Sequence, residues 1–567
     1  MRVLGINFSN DAAAAMVVDG QVALAVQEER YRRVKHFAGF PTAAVSAALG
    51  AARTRLEEVD TVAFFWNPGI HAQTHVARLS AQPRHHLEFL YDLPNHLLPK
   101  ISSPVDLTEQ IFHLRDGRRL RCVYVTHHLA HAAAALYSSP FDRAAILTVD
   151  GYGERDAAVI WRYAGDGRFE RLWSQEFPHS LGAFYAAFTE HLGFKPNSGE
   201  GKLMGLASYG TPRYADELRR LVRLSPDGYE LDLSYFSFFV ERATRFSGKL
   251  VALLGEPREP ESELTRRHED LAASVQLVFE EALLHLARLA RTTTGLDALC
   301  MSGGATLNCS ANGRLVRSGI FERYFFESAA SDAGAALGAA FYVTHVLGGV
   351  PRGALRALPD DLGPSHSEDE IRQTLERGGL KARHCEDAPT VVGRLLARGL
   401  IGSVLDGRAE FGPRALGHRS TLADPRPAEM KDRLNATVKF REAFRPFAPS
   451  VLAERAPDYF AGADFSPYML RVFPTRPERL PEARAVTHVD GGARVQTVTR
   501  EANPRFHAIV SAFERETGTP LVLNTSFNIR GEPIVNSPAD AVKCYLTTGM
   551  DFLLLGDYLL VKDERVL

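Results

Sequence analysis

Cysteine is scarce in this sequence, with five residues in 567 positions, at Cys122, Cys300, Cys309, Cys385 and Cys544. Their number is odd and no two of them stand in CxxC spacing, which excludes a disulfide framework and a zinc ribbon. This usage is typical of a protein in a reducing compartment, so we predict a cytoplasmic protein.

Long apolar runs are also missing, and none reaches the roughly 20 residues that a membrane-spanning helix needs. The first residues enter a strand directly and show no signal peptide. Lys and Arg together number 66 and Asp and Glu 68, so no excess of positive charge indicates nucleic acid or an anionic membrane as a partner. We therefore predict that the chain binds neither.

The chain is too long for one hydrophobic core, and its length favours two large domains. Residues 347–365 are rich in Pro and Gly and lack apolar periodicity, as is typical of an interdomain linker. The sequence therefore predicts an α/β protein with one domain over residues 1–346 and another over 366–567.

A unit of strand, polar turn and strand occurs twice in the first of these domains. One copy begins at residues 3–6 and contains the hairpin signal DG, and the other follows residues 144–149 with the turn DGYGE. A third strand ends in Gly303-Gly304 before a helix, where glycines let a ligand approach and the helix N-terminus favours anions. Paired units of this kind are typical of actin-like ATPases, although a plain strand-to-helix turn would also explain the glycine pair.

Two histidines, His127 and His131, stand four residues apart in an alanine-rich segment that is predicted to be helical. Asp150 follows the buried strand at 144–149, and with the two imidazoles it would complete a facial metal triad. Asp332 could be a fourth ligand or a helix N-cap. These ligand types suit Fe(II), Zn(II) or Mn(II), and the alternative is a histidine cluster that binds nothing.

Basic residues in the second domain lie in turns punctuated by Gly and Pro. A guanidinium in a rigid turn can bind phosphate oxygens with two hydrogen bonds, and nearby hydroxyl or amide groups can complete the pocket. We interpret these turns as one anion pocket, against the alternative of solvated surface charges. The residues concerned are Arg414, Lys439, Arg445, Arg494, Ser526 and Asn528.

Seven motifs occur in order along nearly the whole chain: HHLAHAAAALYSS, VDGYGE, GEGKLMGLASYG, GGATLNCSAN, FGPRALGHRS, RPFAPS and LNTSFNIRGEPIVNSPADA. In these motifs the chain resembles the NodU/CmcH-type O-carbamoyltransferases, including natural-product carbamoyltransferases. The resemblance implies an N-terminal actin-like ATPase (ASKHA) domain of two related halves and a C-terminal YrdC-like α/β domain. It also implies a homodimer and a place in antibiotic or other secondary metabolism.

The activity implied by this resemblance has two steps. The C-terminal domain would make carbamoyl-adenylate from carbamoyl phosphate and ATP with Mg(II), and the N-terminal domain would transfer the carbamoyl group to a hydroxyl of a small-molecule natural product. The resemblance assigns Fe(II) to His127, His131, Asp150 and Asp332, and the phosphates to the six residues of the anion pocket. It assigns the adenylate in the N-terminal domain to Lys35, Gly151, Gly153, Gly303, Gly304 and Asn308.

The chain departs from the family in its first turn. Family members read His-Asp-x-Ser-Ala there, and the histidine is a candidate general base, whereas this chain has Asn10 at that position, followed by Asp11. An amide can hold a hydroxyl group but cannot take its proton at neutral pH. Either a natural sequence relies on another base, with Asp11 the nearest substitute, or the histidine was changed by engineering, which we favour modestly. Lys35 and His36 are expected near the acceptor or the adenylate.

Two other functions are compatible with parts of the sequence. An actin-like small-molecule kinase would explain the repeated turns but neither the HxxxH motif nor the arginine-containing turns. A ligand-sequestering pseudoenzyme would explain Asn10 but not the intact anion pocket. The acceptor is not identified by any motif, and we expect acceptor-related variation to concentrate in regions 66–107 and 231–259, which carry no motif, and at Tyr468-Met469.

Overall fold

The computed structural model describes residues 1–68, 107–114, 117–239 and 244–566. Most of region 66–107, and residues 240–243 of region 231–259, lie outside these described residues. The chain forms two compact units. Unit 1 comprises Met1–Glu28 and His36–Leu358, and unit 2 comprises Glu29–Lys35 and Pro359–Leu567.

This division differs from the predicted domains in two places. The short segment Glu29–Lys35 belongs to unit 2, where Arg30 donates a hydrogen bond to the carbonyl of Gly412 (2.8 Å) and Arg33 donates one to the carbonyl of Ile534 (2.7 Å). Much of the predicted linker packs onto unit 1, where Arg352 donates to the carbonyl of Leu136 (2.9 Å). Hydrogen bonds from arginine side chains to backbone carbonyls thus hold both segments in place, although the predicted linker is rich in Pro and Gly.

Unit 1 is a mixed α/β structure. Its strands are β1 (Arg2–Asn7), β2 (Ala13–Val18), β3 (Gln21–Gln27), β4 (Thr61–Phe64), β5 (Leu107–His113), β6 (Arg119–Val125), β7 (Ala144–Val149), β8 (Asp156–Tyr163), β9 (Phe169–Glu176), β10 (Val222–Ser225), β11 (Gly228–Leu231), β12 (Ala298–Ser302) and β13 (Arg323–Phe326). Its α-helices span Thr42–Ala51, His127–Ser138, Leu181–His191, Glu200–Ala207, Ala215–Leu221, Gly248–Leu254, Arg266–Thr294, Cys309–Arg317 and Asp332–Phe341.

The two larger sheets of unit 1 repeat one topology. The first has the order β3-β2-β1-β4-β6-β5 and the second the order β9-β8-β7-β12-β13. In each, three antiparallel strands in sequence are followed by two strands parallel to the first of them. The repeated unit predicted from the sequence is therefore present as a repeated strand order, and each copy contains the hairpin that the turn residues predicted.

Two alanine-rich helices of unit 1, His127–Ser138 and Asp332–Phe341, pack unusually close together. A Cβ placed on Gly338 would overlap the carbonyl oxygen of Ala130. On its other side the second helix approaches β1 equally closely, because a Cβ on Gly5 would overlap the carbonyl oxygen of Ala336. Only glycine fits at these contacts, and small side chains around them let the backbones approach.

Unit 2 is built around one mixed sheet with the order β14-β23-β22-β15-β16-β21-β17-β20. Its strands are β14 (Arg383–His384), β15 (Gly402–Leu405), β16 (Arg419–Ala423), β17 (Ala448–Leu452), β18 (Val472–Pro474), β19 (Gly492–Arg494), β20 (Gln496–Val498), β21 (Leu521–Ser526), β22 (Phe552–Leu555) and β23 (Tyr558–Val561). Its α-helices span Glu29–Arg32, Glu368–Arg377, Ala388–Ala397, Met430–Leu434, Ala456–Tyr459, Pro504–Thr517 and Pro538–Leu546.

Both faces of this sheet are buried. Val404 belongs to a core cluster with the helices Ala388–Ala397 and Pro504–Thr517, whereas its neighbour Leu405 belongs to a separate cluster that includes the helix Pro538–Leu546. Successive residues of a strand point to opposite faces, so helices cover the sheet on both sides. The middle strands can then carry polar residues at their ends, where the sheet meets the loops.

Among the helices in the described part of the chain, none is long and apolar enough to cross a membrane.

We predict that Gly338→Ala lowers the midpoint of thermal unfolding, because the added methyl group must push apart two packed backbones. Overpacking of this kind costs about 1–3 kcal/mol, which corresponds to a few degrees. Gly50→Ala is the matched control: Gly50 is exposed in the helix Thr42–Ala51, and a Cβ there would meet nothing within 4 Å. Circular dichroism of both variants checks this, and an equal midpoint for the two would contradict the packing argument.

Candidate metal centre and anion-binding pocket

The two histidines of the HxxxH motif lie on one face of the buried helix His127–Ser138. Their rings are 4.6 Å apart between centroids, and the residues are 1% and 0% exposed. A spacing of four residues places them one helical turn apart on the same face. The sequence prediction of a paired imidazole site is therefore geometrically satisfied.

Two carboxylates meet these imidazoles. Asp150 follows β7 directly, and its Oδ2 lies 3.1 Å from His131 Nε2 and 3.4 Å from His127 Nε2. Asp332 is the first residue of the helix Asp332–Phe341, and its Oδ1 lies 3.8 Å from each Nε2. The potential ligand atoms of all four residues lie within 4.8 Å of one another. The structure thus brings together the complete set of predicted metal ligands.

The electrostatics of this cluster favour a cation. Burial raises the pKa of Asp150, but hydrogen bonding from His127 and His131 outweighs it and holds the pKa well below its usual range. Burial lowers the pKa of His131, but the nearby carboxylates of Asp150 and Asp332 dominate and raise the pKa to about 10. The two carboxylates require a positive charge beside them. A proton on an imidazole or a bound metal ion can supply it.

A second layer of hydrogen bonds fixes which nitrogen of His131 faces the carboxylates. His131 Nδ1 lies 2.9 Å from Ser302 Oγ, which donates to Glu327 Oε2 at 3.1 Å. Because the Ser302 hydroxyl proton is used on Glu327, His131 Nδ1–H is the donor to Ser302, and in the neutral ring Nε2 carries the lone pair. This arrangement is the one that metal-binding histidines use.

The remaining histidine of the motif, His128, has a different role. Its Nδ1 pairs with Thr148 Oγ1 (2.9 Å) and its Nε2 with the carbonyl of Asp156 (3.0 Å). Burial lowers its pKa well below the ordinary value, so the ring is neutral and joins the helix to the β7–β8 hairpin. Glu154 accepts from the backbone N–H of His127, and burial raises the pKa of this carboxyl to about 7.

The donor chemistry of the four residues fits a divalent transition metal. Two imidazole nitrogens and two carboxylate oxygens suit Fe(II), Zn(II) or Mn(II), and this set does not choose among them. When bound, such an ion would supply Lewis-acid character at this site.

The glycines predicted to contact the adenylate surround Asp150. Gly151 donates its N–H to Asp150 Oδ1 (2.6 Å), and a Cβ on Gly304 would lie 3.2 Å from the same oxygen. Gly303 has a φ of 92° and passes so close to Val149 that a Cβ would overlap its carbonyl oxygen. Gly153 passes close to His127, because a Cβ added at Gly153 would lie 3.1 Å from the Cβ of His127. These glycines therefore let the backbone approach Asp150, Val149 and His127 closely.

Asn308 is placed differently. Its Oδ1 accepts from the N–H of Ala311 (3.0 Å) and so caps the helix Cys309–Arg317, and both its side-chain atoms pair with Gln276. These bonds account for the position structurally, and its predicted contact with the adenylate stays a prediction.

In unit 2 the structure joins three residues of the predicted anion pocket. Lys439 Nζ donates to Ser526 Oγ (3.2 Å), to the Ser526 carbonyl and to Asn528 Oδ1 (2.8 Å). Ser526 ends β21, and Lys439 ends a helical turn over Asn435–Lys439. Burial lowers the pKa of Lys439 well below its ordinary value, and the charges of Arg441 and Arg445 lower it further.

The other cations of this pocket repel one another. Burial lowers the pKa of Arg445, and the charge of Arg494 lowers it further against the opposing effect of Glu442. Burial, Arg445 and Arg494 together lower the pKa of Arg441 in the same way. Sequence reasoning did not assign Arg441 to the pocket, although it stands in the same KFRE turn as Lys439.

Lys35 lies in unit 2 and not, as predicted, in the unit of the metal centre. Its charge is among those that lower the pKa of Lys439. Arg30 and Arg33 anchor the segment that contains Lys35 to unit 2. The sequence pattern could not reveal this anchoring, because the segment is distant in sequence from the rest of unit 2.

Arg414 lies in a loop whose backbone is hydrogen-bonded to the buried carboxylate of Glu410. Glu410 Oε1 accepts from the backbone N–H groups of Leu416 (2.8 Å), His418 (2.9 Å) and Arg419 (3.0 Å). The loop leads into β16, whose Ser420 pairs with Ser526 of β21. Arg414 and the Lys439–Ser526 pair are therefore attached to the same end of two neighbouring strands.

Comparison with known proteins identifies the family. Residues 2–341 match the family described as Carbamoyltransferase N-terminus, and residues 393–562 match Carbamoyltransferase C-terminus. An uncharacterised protein of Synechocystis sp. is 41% identical over 601 residues, covering 100% of this chain and 97% of that protein. Nodulation protein NolNO of Sinorhizobium fredii is 37% identical (98% and 79% covered), and Nodulation protein U of Rhizobium tropici 30% identical (94% and 91% covered).

The chain is thus an enzyme of the carbamoyltransferase class. It belongs to the carbamoyltransferase family, with both the N-terminal and the C-terminal family regions present in one polypeptide.

We predict that Ser302→Ala weakens Mn(II) binding about 10- to 100-fold, because His131 loses the partner that orients its ring. Equilibrium dialysis of the full chain against Mn(II) measures this without any reaction. Ser46→Ala is the matched control, since Ser46 is exposed and bonds only the carbonyl of Thr42 in its own helix. Equal affinity of the two variants would contradict the proposed orientation.

Proposed function

We propose that this enzyme makes carbamoyl-adenylate in unit 2 and transfers its carbamoyl group to a hydroxyl of a small molecule in unit 1. In the first step, water cleaves carbamoyl phosphate to carbamate and phosphate, and a carbamate oxygen then attacks the α-phosphorus of ATP, which gives carbamoyl-adenylate and releases pyrophosphate. In the second, the acceptor oxygen bonds to the carbamoyl carbon and AMP leaves. The observation that carries this proposal is the cluster of half-buried arginines around the buried Lys439.

Burying several cations together is unfavourable unless anions accompany them. Arg441 and Arg445 lower the pKa of Lys439, and Arg494 lowers the pKa of both Arg441 and Arg445, so a polyanion would relieve the repulsion among these cations. Two phosphorylated substrates, with ATP bound as its Mg(II) complex, supply that charge. Arg414 on its tethered loop and the hydroxyl of Ser526 add donors for phosphate oxygens.

The metal centre would serve the transfer step. His127, His131, Asp150 and Asp332 would hold the Fe(II) expected from the family resemblance. The backbone turns at Gly151 and Gly304 keep side chains away from Asp150, which leaves room for the adenylate. Water must be kept from the carbamoyl carbon, since it competes with the acceptor hydroxyl.

The fold expectations are part of this proposal. The strand order repeated in unit 1 supports an actin-like (ASKHA) architecture of two related halves. The mixed sheet of unit 2, covered on both faces, is compatible with a YrdC-like domain. A homodimer and a cytoplasmic location remain expectations from the resemblance and the cysteine usage.

For the acceptor we propose a hydroxyl-bearing natural product of secondary metabolism, as in antibiotic biosynthesis. Carbamoylation of this acceptor requires a general base, because the hydroxyl group of an alcohol has a pKa far above neutral and attacks the carbamoyl carbon slowly while it is protonated. Asn10 is exposed at the position where the family has histidine, and it cannot supply that base.

We predict that Lys439→Met reduces carbamoyl phosphate-dependent pyrophosphate release from ATP by at least about 100-fold, because the pocket loses its central charge. Lys543→Met is the matched control: Lys543 pairs with Glu532 at the surface and its side chain is 68% exposed. A coupled pyrophosphate assay on the full chain gives both rates.

Three results would contradict the proposal in different ways. Pyrophosphate release that is unchanged in Lys439→Met would remove the pocket from the reaction. Formation of ADP with a phosphorylated acceptor would indicate a kinase instead. Binding of carbamoyl phosphate and ATP by the unaltered chain without any pyrophosphate release would indicate a sequestering protein.

A further inference from the structure

The turn that carries Asn10 is held rigidly. The buried Asn7 donates from Nδ2 to the carbonyls of Asn10 and Asp11, both at 3.0 Å, and its Oδ1 accepts from the N–H of Ser9 (2.7 Å). Asp11 has a φ of 54°, a left-handed conformation that is unfavourable for a residue with a Cβ. The clamp from Asn7 compensates for this strain and fixes where the Asp11 carboxylate points.

This turn borders the metal centre. Ser9 Oγ donates to Asp332 Oδ2 at 3.1 Å, and Asp11 stands two residues further along the same clamped turn. Groups presented by the turn are therefore close to the place where a metal-held adenylate would react.

Asp11 is paired with a histidine from outside the turn. Its Oδ1 lies 2.8 Å from His36 Nδ1, and the side chains are 22% and 33% exposed, so both are accessible to a ligand. The segments are also joined by their backbones, because Ala12 donates its N–H to the carbonyl of Phe37 (3.0 Å). An ionised carboxylate only accepts hydrogen bonds, so His36 Nδ1 carries the proton and Nε2 carries the lone pair.

A second carboxylate interacts electrostatically with the same imidazole. Burial raises the pKa of Glu200, at the start of the helix Glu200–Ala207, and His36 opposes that rise. A carboxylate on Nδ1 that orients the ring and stabilises the imidazolium is the arrangement by which catalytic triads make histidine a base.

We propose that His36 is the general base of acceptor carbamoylation in this chain, with Asp11 as its positioning residue, in place of the histidine missing at position 10. The inference rests on the proposed function. His36 Nε2 takes the hydroxyl proton as the acceptor oxygen forms its bond to the carbamoyl carbon. The bond from that carbon to the phosphate oxygen breaks, AMP leaves with the electron pair, and the imidazolium later releases its proton to solvent.

The experiment follows AMP release and methyl carbamate formation in the full chain, with methanol as the acceptor probe. Carbamoyl-adenylate is formed on the enzyme from carbamoyl phosphate and Mg-ATP in the presence of Fe(II). We expect His36→Gln to slow transfer about 100-fold or more, the range of general-base catalysis, while the first turnover of pyrophosphate release changes less than about twofold. Asp11→Asn should slow transfer less severely, since the base remains.

A rescue variant separates a base from a structural histidine. Asn10→His in the His36→Gln background returns an imidazole to the same clamped turn, and we expect it to restore transfer at least about tenfold, within the range of general-base effects. A structural defect at position 36 would not be repaired in this way.

The inference is overturned if His36→Gln transfers as fast as the unaltered chain, or if it loses transfer and pyrophosphate release together with no rescue by Asn10→His. If the unaltered chain makes no carbamoyl-adenylate, the proposed function itself fails, which the pyrophosphate measurement reveals before any variant is compared.

Discussion

The close approach of two helices in unit 1 is the constraint on which the metal centre depends. Gly338 lets the helix Asp332–Phe341 lie against the backbone of the helix His127–Ser138, and Gly5 lets β1 support it from the other side. Asp332 consequently starts its helix beside imidazoles that are some two hundred positions earlier in the chain. An added methyl group at the contact would push the two helix backbones apart.

The candidate sites of the two units favour ligands of opposite charge. In unit 1, two carboxylates meet two buried imidazoles, and the centre favours a cation. In unit 2, half-buried arginines lie around the buried Lys439, and the pocket favours anions. A carbamoyltransferase that works through an adenylate would use both properties, because activation handles several phosphates and transfer needs one phosphate held beside a metal.

Sequence pattern predicted the local elements well, because they depend on neighbours in the chain. The hairpin at Asp19-Gly20, the strand that ends before Asp150 and the alanine-rich helix His127–Ser138 all lie where turn chemistry and periodicity place them. The segment Glu29–Lys35 was assigned to the wrong unit. Its anchoring depends on Arg30 and Arg33 reaching carbonyls that are several hundred residues away, and no local signal encodes that distance.

The sequence by itself determined the family and the HxxxH pair, since both are written in contiguous residues. Only the tertiary structure decided that Asp150 and Asp332 meet the two histidines, that Ser302 bonds His131, and that Asp11 bonds His36. These are relations between side chains on separate elements. They are set by how closely the helices and strands can pack, which the volumes and hydrogen bonds of many residues determine together.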